Sequence, residues 1–239
     1  MGLFSFLSNQ KKKSNNDIDL AEALLWLKLY PQTQVKPDSY PISANLSRQI
    51  EKVIKQCPTR QSILEKVIEL CGEPETARQR YICAAAYLRG KADYRENAIQ
   101  SLEMYLANPS YERAYISARH TWGNKEFSQE EERKIHLAEM YSHLGKLYEA
   151  IHSYNQAIAS YNKELGLTPF YPAPYCRISA VNIRKNQMSP AMNILLNAKK
   201  TRYYKPITYK TKSGETVTED TFRKVIDNHI RDLEKKTEK

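Results

Sequence analysis

Glycine is scarce in this chain, seven in 239 residues, and the seven do not cluster. That scarcity excludes the glycine-rich loops that cradle phosphates, since neither G-x-x-x-x-G-K nor G-x-G-x-x-G occurs. Cysteine is sparse too. Cys57, Cys71, Cys83 and Cys176 include no pair at the two-residue spacing of zinc or thiol-redox sites, so they read as small buried hydrophobes of a reducing, cytoplasmic compartment. Also missing is any apolar run approaching the eighteen or so residues of a membrane-spanning helix. None of the histidines, His120, His136, His143, His152 and His229, shows a local signature with a serine or cysteine nucleophile. No catalytic residue, cofactor or metal site is therefore expected, and the chain is read as non-enzymatic.

The start, Met1-Gly-Leu-Phe-Ser-Phe-Leu7, has no leading positive charge and runs into Lys11-Lys12-Lys13, which is not the layout of a signal peptide. Phe6 stands where the myristoylation pattern wants Ser or Thr. Residues 1–16 are read as a flexible apolar and basic leader. A frayed terminus is the stronger reading, and a membrane-surface contact through Leu3, Phe4, Phe6, Leu7 and the lysines the weaker.

What is present is helical periodicity. Leu20, Ala23, Leu24 and Leu27 predict a helix over 17–30, ended by Pro31, and a proline-punctuated connector follows as far as Pro41. Helical spacing returns over 46–57 and 59–71, then over 74–89 and 93–106, in a helix, short turn, helix rhythm. Ser128 with Glu131 forms a capping box for a helix to about Leu144. A partner helix is expected over 147–164, and one more pair over 174–186 and 189–202, with Pro190 tolerated in a first turn. Gly72, Gly90 and Gly145 each follow an apolar run and read as helix stops. Past Lys205 the rhythm breaks. Ile207 to Thr218 alternates β-branched and polar residues around Ser213-Gly214, as a small hairpin would. A last amphipathic helix, 221–236, places Phe222, Val225, Ile226, His229, Ile230 and Leu233 on one stripe and could cap the end of the array. The expected organisation is a leader (1–16), an N-terminal helical region (17–72), helical repeats (73–206), and the hairpin with its terminal helix (207–239).

Leu137-Ala138-x-x-Tyr141, Gly145 and Ala150-x-x-x-Tyr154-x-x-Ala157 together resemble one tetratricopeptide repeat (TPR) unit, about 131–164. Two weaker matches lie at Ala191-x-x-x-Leu195-x-x-Ala198, with Ile178-Ser179 before it, and at Ala98-x-x-x-Leu102, where Tyr105 occupies a small-residue position. The alanines at 98, 150 and 191 are 52 and 41 residues apart, against a family period of about 34, so the resemblance asks for long loops such as 166–174. It implies an all-α, TPR-like α-solenoid of antiparallel helix pairs, used as a scaffold or adaptor rather than an enzyme. The first helix of each pair would line a groove.

Charge is distributed unevenly. Between Gly166 and Gly214 stand nine basic residues (Arg177, Arg184, Lys185, Lys199, Lys200, Arg202, Lys205, Lys210 and Lys212) and no acid. The rest of the chain, 28 basic residues against 27 acidic, is almost neutral. Such a block attracts anions unless something negative lies beside it, and Tyr171, Tyr175, Tyr203, Tyr204 and Tyr209 are interleaved with it. The plainest reading is a solvated face. Among ligands, an acidic protein or peptide ranks ahead of nucleic acid, which remains the alternative although no DNA-reading motif occurs. The partner-binding set expected on these grounds is Tyr141, Tyr175, Arg177, Arg184, Lys185, Lys199, Lys200 and Arg202.

Two narrower ideas are weaker. The family's carboxylate clamp uses lysine and asparagine at groove positions that here correspond to Ile135, Glu139, Cys176 and Ala180, so the resemblance does not imply chaperone tails as ligands. Glu132, His136, Glu139 and His143 share one helical stripe and, by the resemblance, face the groove. Their spacing matches neither H-E-x-x-H nor paired E-x-x-H motifs, which favours a polar groove wall over a metal site.

Overall fold

Five helices begin at a Ser or Thr whose hydroxyl accepts a backbone N–H of the first turn. These caps are Ser14, Ser43, Thr59, Thr76 and Ser128. In the computed structural model, which describes residues 14–29, 42–90, 94–109, 128–210 and 215–237, they open α1 (Asn15–Leu24), α2 (Ala44–Gln56), α3 (Arg60–Cys71), α4 (Ala77–Leu88) and α6 (Gln129–Ala150). The other α-helices among the described residues are α5 (Arg95–Ala107), α7 (Tyr154–Leu167), α8 (Ala173–Arg184), α9 (Met188–Lys199) and α10 (Thr221–Thr237). A two-stranded antiparallel hairpin, β1 (Ile207–Lys210) with β2 (Thr216–Glu219), pairs Ile207 with Glu219 and Tyr209 with Val217. The expected capping box is present: Glu131 N–H donates to Ser128 Oγ at 3.3 Å, and Ser128 N–H to Glu131 Oε2 at 2.9 Å. The fold is all-α and TPR-like, apart from the hairpin. No described helix is long and apolar enough to cross a membrane. The leader over 1–13 and the proline connector over 30–41 lie outside the described residues.

The chain forms two compact units that divide between Ala118 and Arg119. α4 and α5 belong to the first unit because α4 packs on α3 and α1, and because Arg78 on α4 reaches both Asp19 (2.7 Å) and the buried Glu22 on α1. The C-terminal end of α1 widens into a π-helical turn, Leu25–Leu29, whose last carbonyl accepts from Arg60 at 3.1 Å. Ala98, Leu102 and Tyr105 are all buried, and Tyr105 tilts against Tyr81 with ring centroids 5.3 Å apart. Cys71 and Cys83 are buried and are not joined in a disulfide. The hydrogen bond between their thiols, then burial, pushes the Cys71 thiol up, out of the range of a reactive thiolate.

The second unit is a simple succession in which α6 packs on α7, α7 on α8, α8 on α9 and α9 on α10. Its first pair differs from expectation in register. Gly145 does not stop a helix; α6 runs through it to Ala150, and the turn comes at 151–153, where His152 adopts φ 60°. Ala150 is exposed, whereas Ala157 and Tyr161, seven residues past the expected Ala150 and Tyr154, are fully buried. With this register the interval to the third match becomes regular, while the first match at Ala98 stays 59 residues before Ala157. Ala157 and Ala191, Tyr161 and Leu195, and Gly145 and Ser179 are each 34 residues apart, which is the family period. The loop between α7 and α8 is only 168–172, so no long insertion is needed.

α10 closes the array. Phe222, Ile226, Ile230 and Leu233 join Tyr175, Cys176, Ala191, Leu195 and Ala198 in one buried cluster. His229, expected on that stripe, is exposed, with Nδ1 2.9 Å from the Val225 carbonyl.

Candidate functional site

A cavity of about 510 Å³ opens in the second unit, within the range of about 300–1,000 Å³ that small-ligand and side-chain pockets occupy. Its wall is a helical stripe of α6: Ile135, Ala138, Glu139, Ser142, His143 and Lys146. Glu164 and Thr168 close it from the end of α7, Tyr171 and Pro172 from the turn, and Ala173 and Arg177 from α8. The groove therefore lies between the first helices of two successive pairs, as the resemblance implies.

Charges inside it are arranged rather than scattered. Arg177 Nη1 donates to Glu164 Oε1 at 2.5 Å, and its guanidinium carbon lies 5.8 Å from the Tyr161 ring centroid. Glu164 Oε2 is buried and has no hydrogen bond within geometric limits among the described residues. Burial raises the Glu164 carboxyl above its ordinary value, with Arg177 the chief opposing influence. Lys146 is lowered, first by partial burial and then by Arg177 nearby. Burial also raises Tyr171, and Glu139 adds to it.

Of the residues expected to bind a partner, Arg177 alone lines this cavity. Tyr175 is buried, 5% exposed, edge-on to Phe222 at 5.7 Å, with its hydroxyl donating to the Pro169 carbonyl at 3.3 Å. It is a core residue and no surface anchor, because its register places it on the face that α10 covers. Tyr141 is half-buried and not part of the wall. Arg184, expected to share the groove face with Arg177, instead forms an ion pair with Glu149 on α6, whose other oxygen accepts from Tyr161 Oη at 2.5 Å. Lys185 donates to Asn155 at 2.7 Å. Lys199 is 3.3 Å from Asp227 on α10 and 5.3 Å from the centre of the Tyr204 ring. Lys200 and Arg202 are exposed; among the described residues Lys200 reaches only Asn197, at 3.4 Å, and Arg202 lies 4.9 Å from the Tyr203 ring centroid.

Three of the nine basic residues of the block, Arg177, Arg184 and Lys199, are therefore answered from within the chain. Glu149, Glu164 and Asp227 lie outside the acid-free stretch in sequence and beside it in space. Of the histidine and glutamate stripe, Glu139 and His143 line the groove, whereas His136 is only 2% exposed in the helix packing and Glu132 is not part of the wall. Among the described residues no three His, Cys, Asp or Glu side chains converge as a metal shell.

Lys146 and Glu164 were missed by reading the sequence. Lys146 was within reach, since it continues the Glu139–His143 stripe by one further turn. Glu164 was not, because the register shift places it at a repeat position expected to be small, where Ala198 stands 34 residues later.

No family model matches the sequence, and no curated protein matches it either. Among solved structures, the crystal structure of MamA protein is similar at 17% identity, covering 78% of this chain and 92% of its own, with a TM-score of 0.42. A second MamA structure, from AMB-1, has 12% identity, covers 78% of this chain and 99% of its own, and has a TM-score of 0.45.

Proposed function

We propose that this protein is a non-enzymatic interaction scaffold that holds a segment of a protein partner in the groove between α6 and α8. The observation that carries the reading is the cavity itself. It is walled by Ala138, Ala173 and Pro172, which leave room for a guest backbone, and by polar side chains that can fix its orientation. Of the six basic residues expected to bind a partner, Arg177, Arg184 and Lys199 pair with Glu164, Glu149 and Asp227, which leaves less free positive charge for the nucleic-acid alternative. Free cysteines at 57, 71, 83 and 176 fit a cytoplasmic setting for this activity.

A photo-crosslinking residue at Ala173, in the groove wall, tests the reading against the same residue at exposed Lys163 on α7. In native lysate treated with nuclease, the expected result is one discrete adduct from position 173 and none from 163. Equal or absent labelling at the two positions would sink the groove as the binding surface.

A further inference from the structure

The groove carries more positive charge at one end than its own carboxylate answers. Arg177 spends one N–H on Glu164, and no other hydrogen bond from its guanidinium occurs among the described residues. Lys146, on the facing helix, lines the same cavity and makes no ion pair among the described residues. The two cations are near enough for Arg177 to lower the lysine, so two positive charges share the single carboxylate of Glu164. Glu139 does not settle the account. It lies seven residues from Lys146, about 10.5 Å along the helix, at the end where Tyr171 stands.

We propose that the Lys146 and Arg177 end of the groove binds an aspartate or glutamate side chain of the partner segment. The inference rests on the groove reading above and names the chemistry it selects. One surplus positive charge matches one carboxylate. A phosphate dianion would exceed that surplus and meet repulsion from Glu164, whose orphan oxygen is buried beside the site. Lys146 and the remaining N–H groups of Arg177 donate to the incoming oxygens. Glu164 acts as a positioning residue: it holds Arg177 across the groove, and it also competes with the ligand as the anion already in place.

That double role supplies a test that simple surface attraction would not pass. The probes are fluorescein-labelled, acetylated and amidated hexapeptides of glutamate or glutamine, followed by anisotropy on the full chain. The glutamate peptide should bind and the glutamine peptide should not. Lys146→Gln should weaken binding roughly tenfold, the loss of one charge-assisted contact, whereas Glu164→Gln should tighten it by removing the competing charge. The double variant Lys200→Gln with Arg202→Gln, on exposed positions away from the groove wall, should bind as wild type does.

Binding that ignores Lys146→Gln but vanishes in the Lys200/Arg202 variant would place the acid on the outer surface and overturn the proposal. So would glutamine peptide with a free C-terminus binding as well as the glutamate peptide, or inorganic phosphate displacing the peptide at lower concentration than acetate does. Should Glu164→Gln fail to fold, the Lys146 arm decides alone, since that residue is exposed. A specific adduct at Ala173 combined with no preference for glutamate would defeat this inference and leave the groove reading standing.

Discussion

The ring of Tyr161 lies directly over Gly145: a β-carbon at 145 would stand 2.4 Å from Tyr161 Cε1 and 2.7 Å from Cδ1. Tyr161 is fully buried, and its hydroxyl is held by Glu149, so the ring cannot swing away. The glycine is there for close approach of α6 and α7, not for a turn. Gly145→Ala should therefore destabilise the protein by about 1–3 kcal/mol through overpacking. Gly166 provides the control, since nothing lies within 4 Å of its added β-carbon and it sits near the end of α7. Gly166→Ala should stabilise by about 0.5–1 kcal/mol. Urea denaturation of the two variants measures both, and equal midpoints would mean that the ring does not lie where it is placed.

The register of the first pair makes a sharper distinction. Ala157 is buried completely, whereas Ala150 is exposed at the end of α6. Ala157→Leu should cost about 1–3 kcal/mol, and Ala150→Leu should stay within about 0.5 kcal/mol of wild type. The reverse ordering in thermal denaturation would restore the helix boundary at Gly145 that a sequence reading suggests.

That reversal shows where the sequence is informative and where it is not. Helix positions came from apolar spacing and hydroxyl caps, which act within one or two turns, and so α1 to α5 and α8 to α10 lie close to where the pattern puts them, whereas α7 begins seven residues later than expected. The terminal helix and its stripe through Phe222, Ile226 and Leu233 were equally legible. Gly145 was misread because glycine permits both a helix end and a close helix crossing, and only the partner ring at Tyr161 separates the two. The acid-free stretch was incomplete evidence for a related reason. Counter-charges for three of its nine basic residues come from Glu149, Glu164 and Asp227, on neighbouring helices, and ion pairing between helices leaves no local trace. The 34-residue offset between Ala157 and Ala191 was visible in the sequence, yet it stands out only once the first pair is set in its correct register.

Lys199 and Lys200 are adjacent in sequence and should behave differently. Lys199 bridges to Asp227, which also accepts from Tyr204 Oη at 2.6 Å, and these contacts fasten α10 to the end of α9. Among the described residues Lys200 reaches only Asn197, three residues back. Lys199→Gln should speed amide hydrogen exchange along α10 while leaving α6 and α7 unchanged, and Lys200→Gln should alter neither. Equal exchange in the two variants would show that the pairing at Asp227 does not fasten the helix. The effect should also diminish in acid. Asp227 is held below the ordinary aspartate value by Tyr204 and Lys199, against the opposing effect of burial, so its stabilisation is present above the unfolded value and is lost as pH falls through the folded one.

Glu164 has the opposite sign. Burial is the largest influence on it and lifts its carboxyl above the ordinary value near 4.5, despite Arg177. A carboxyl with a raised folded value binds its proton more tightly in the native state, so the native protein gains stability relative to the unfolded chain as pH falls through that value, and the gain is complete below about the unfolded one. Glu164→Gln removes this titration while keeping the shape of the side chain. The stability difference between wild type and Glu164→Gln should therefore shift in favour of wild type between neutral pH and the range near 4.5. Denaturation of both proteins at several pH values measures it. A difference that stays flat would mean that Glu164 titrates as an ordinary surface carboxylate. A shift in favour of the glutamine variant as pH falls would mean that Arg177 outweighs burial and holds the carboxyl down, as in an ordinary exposed ion pair.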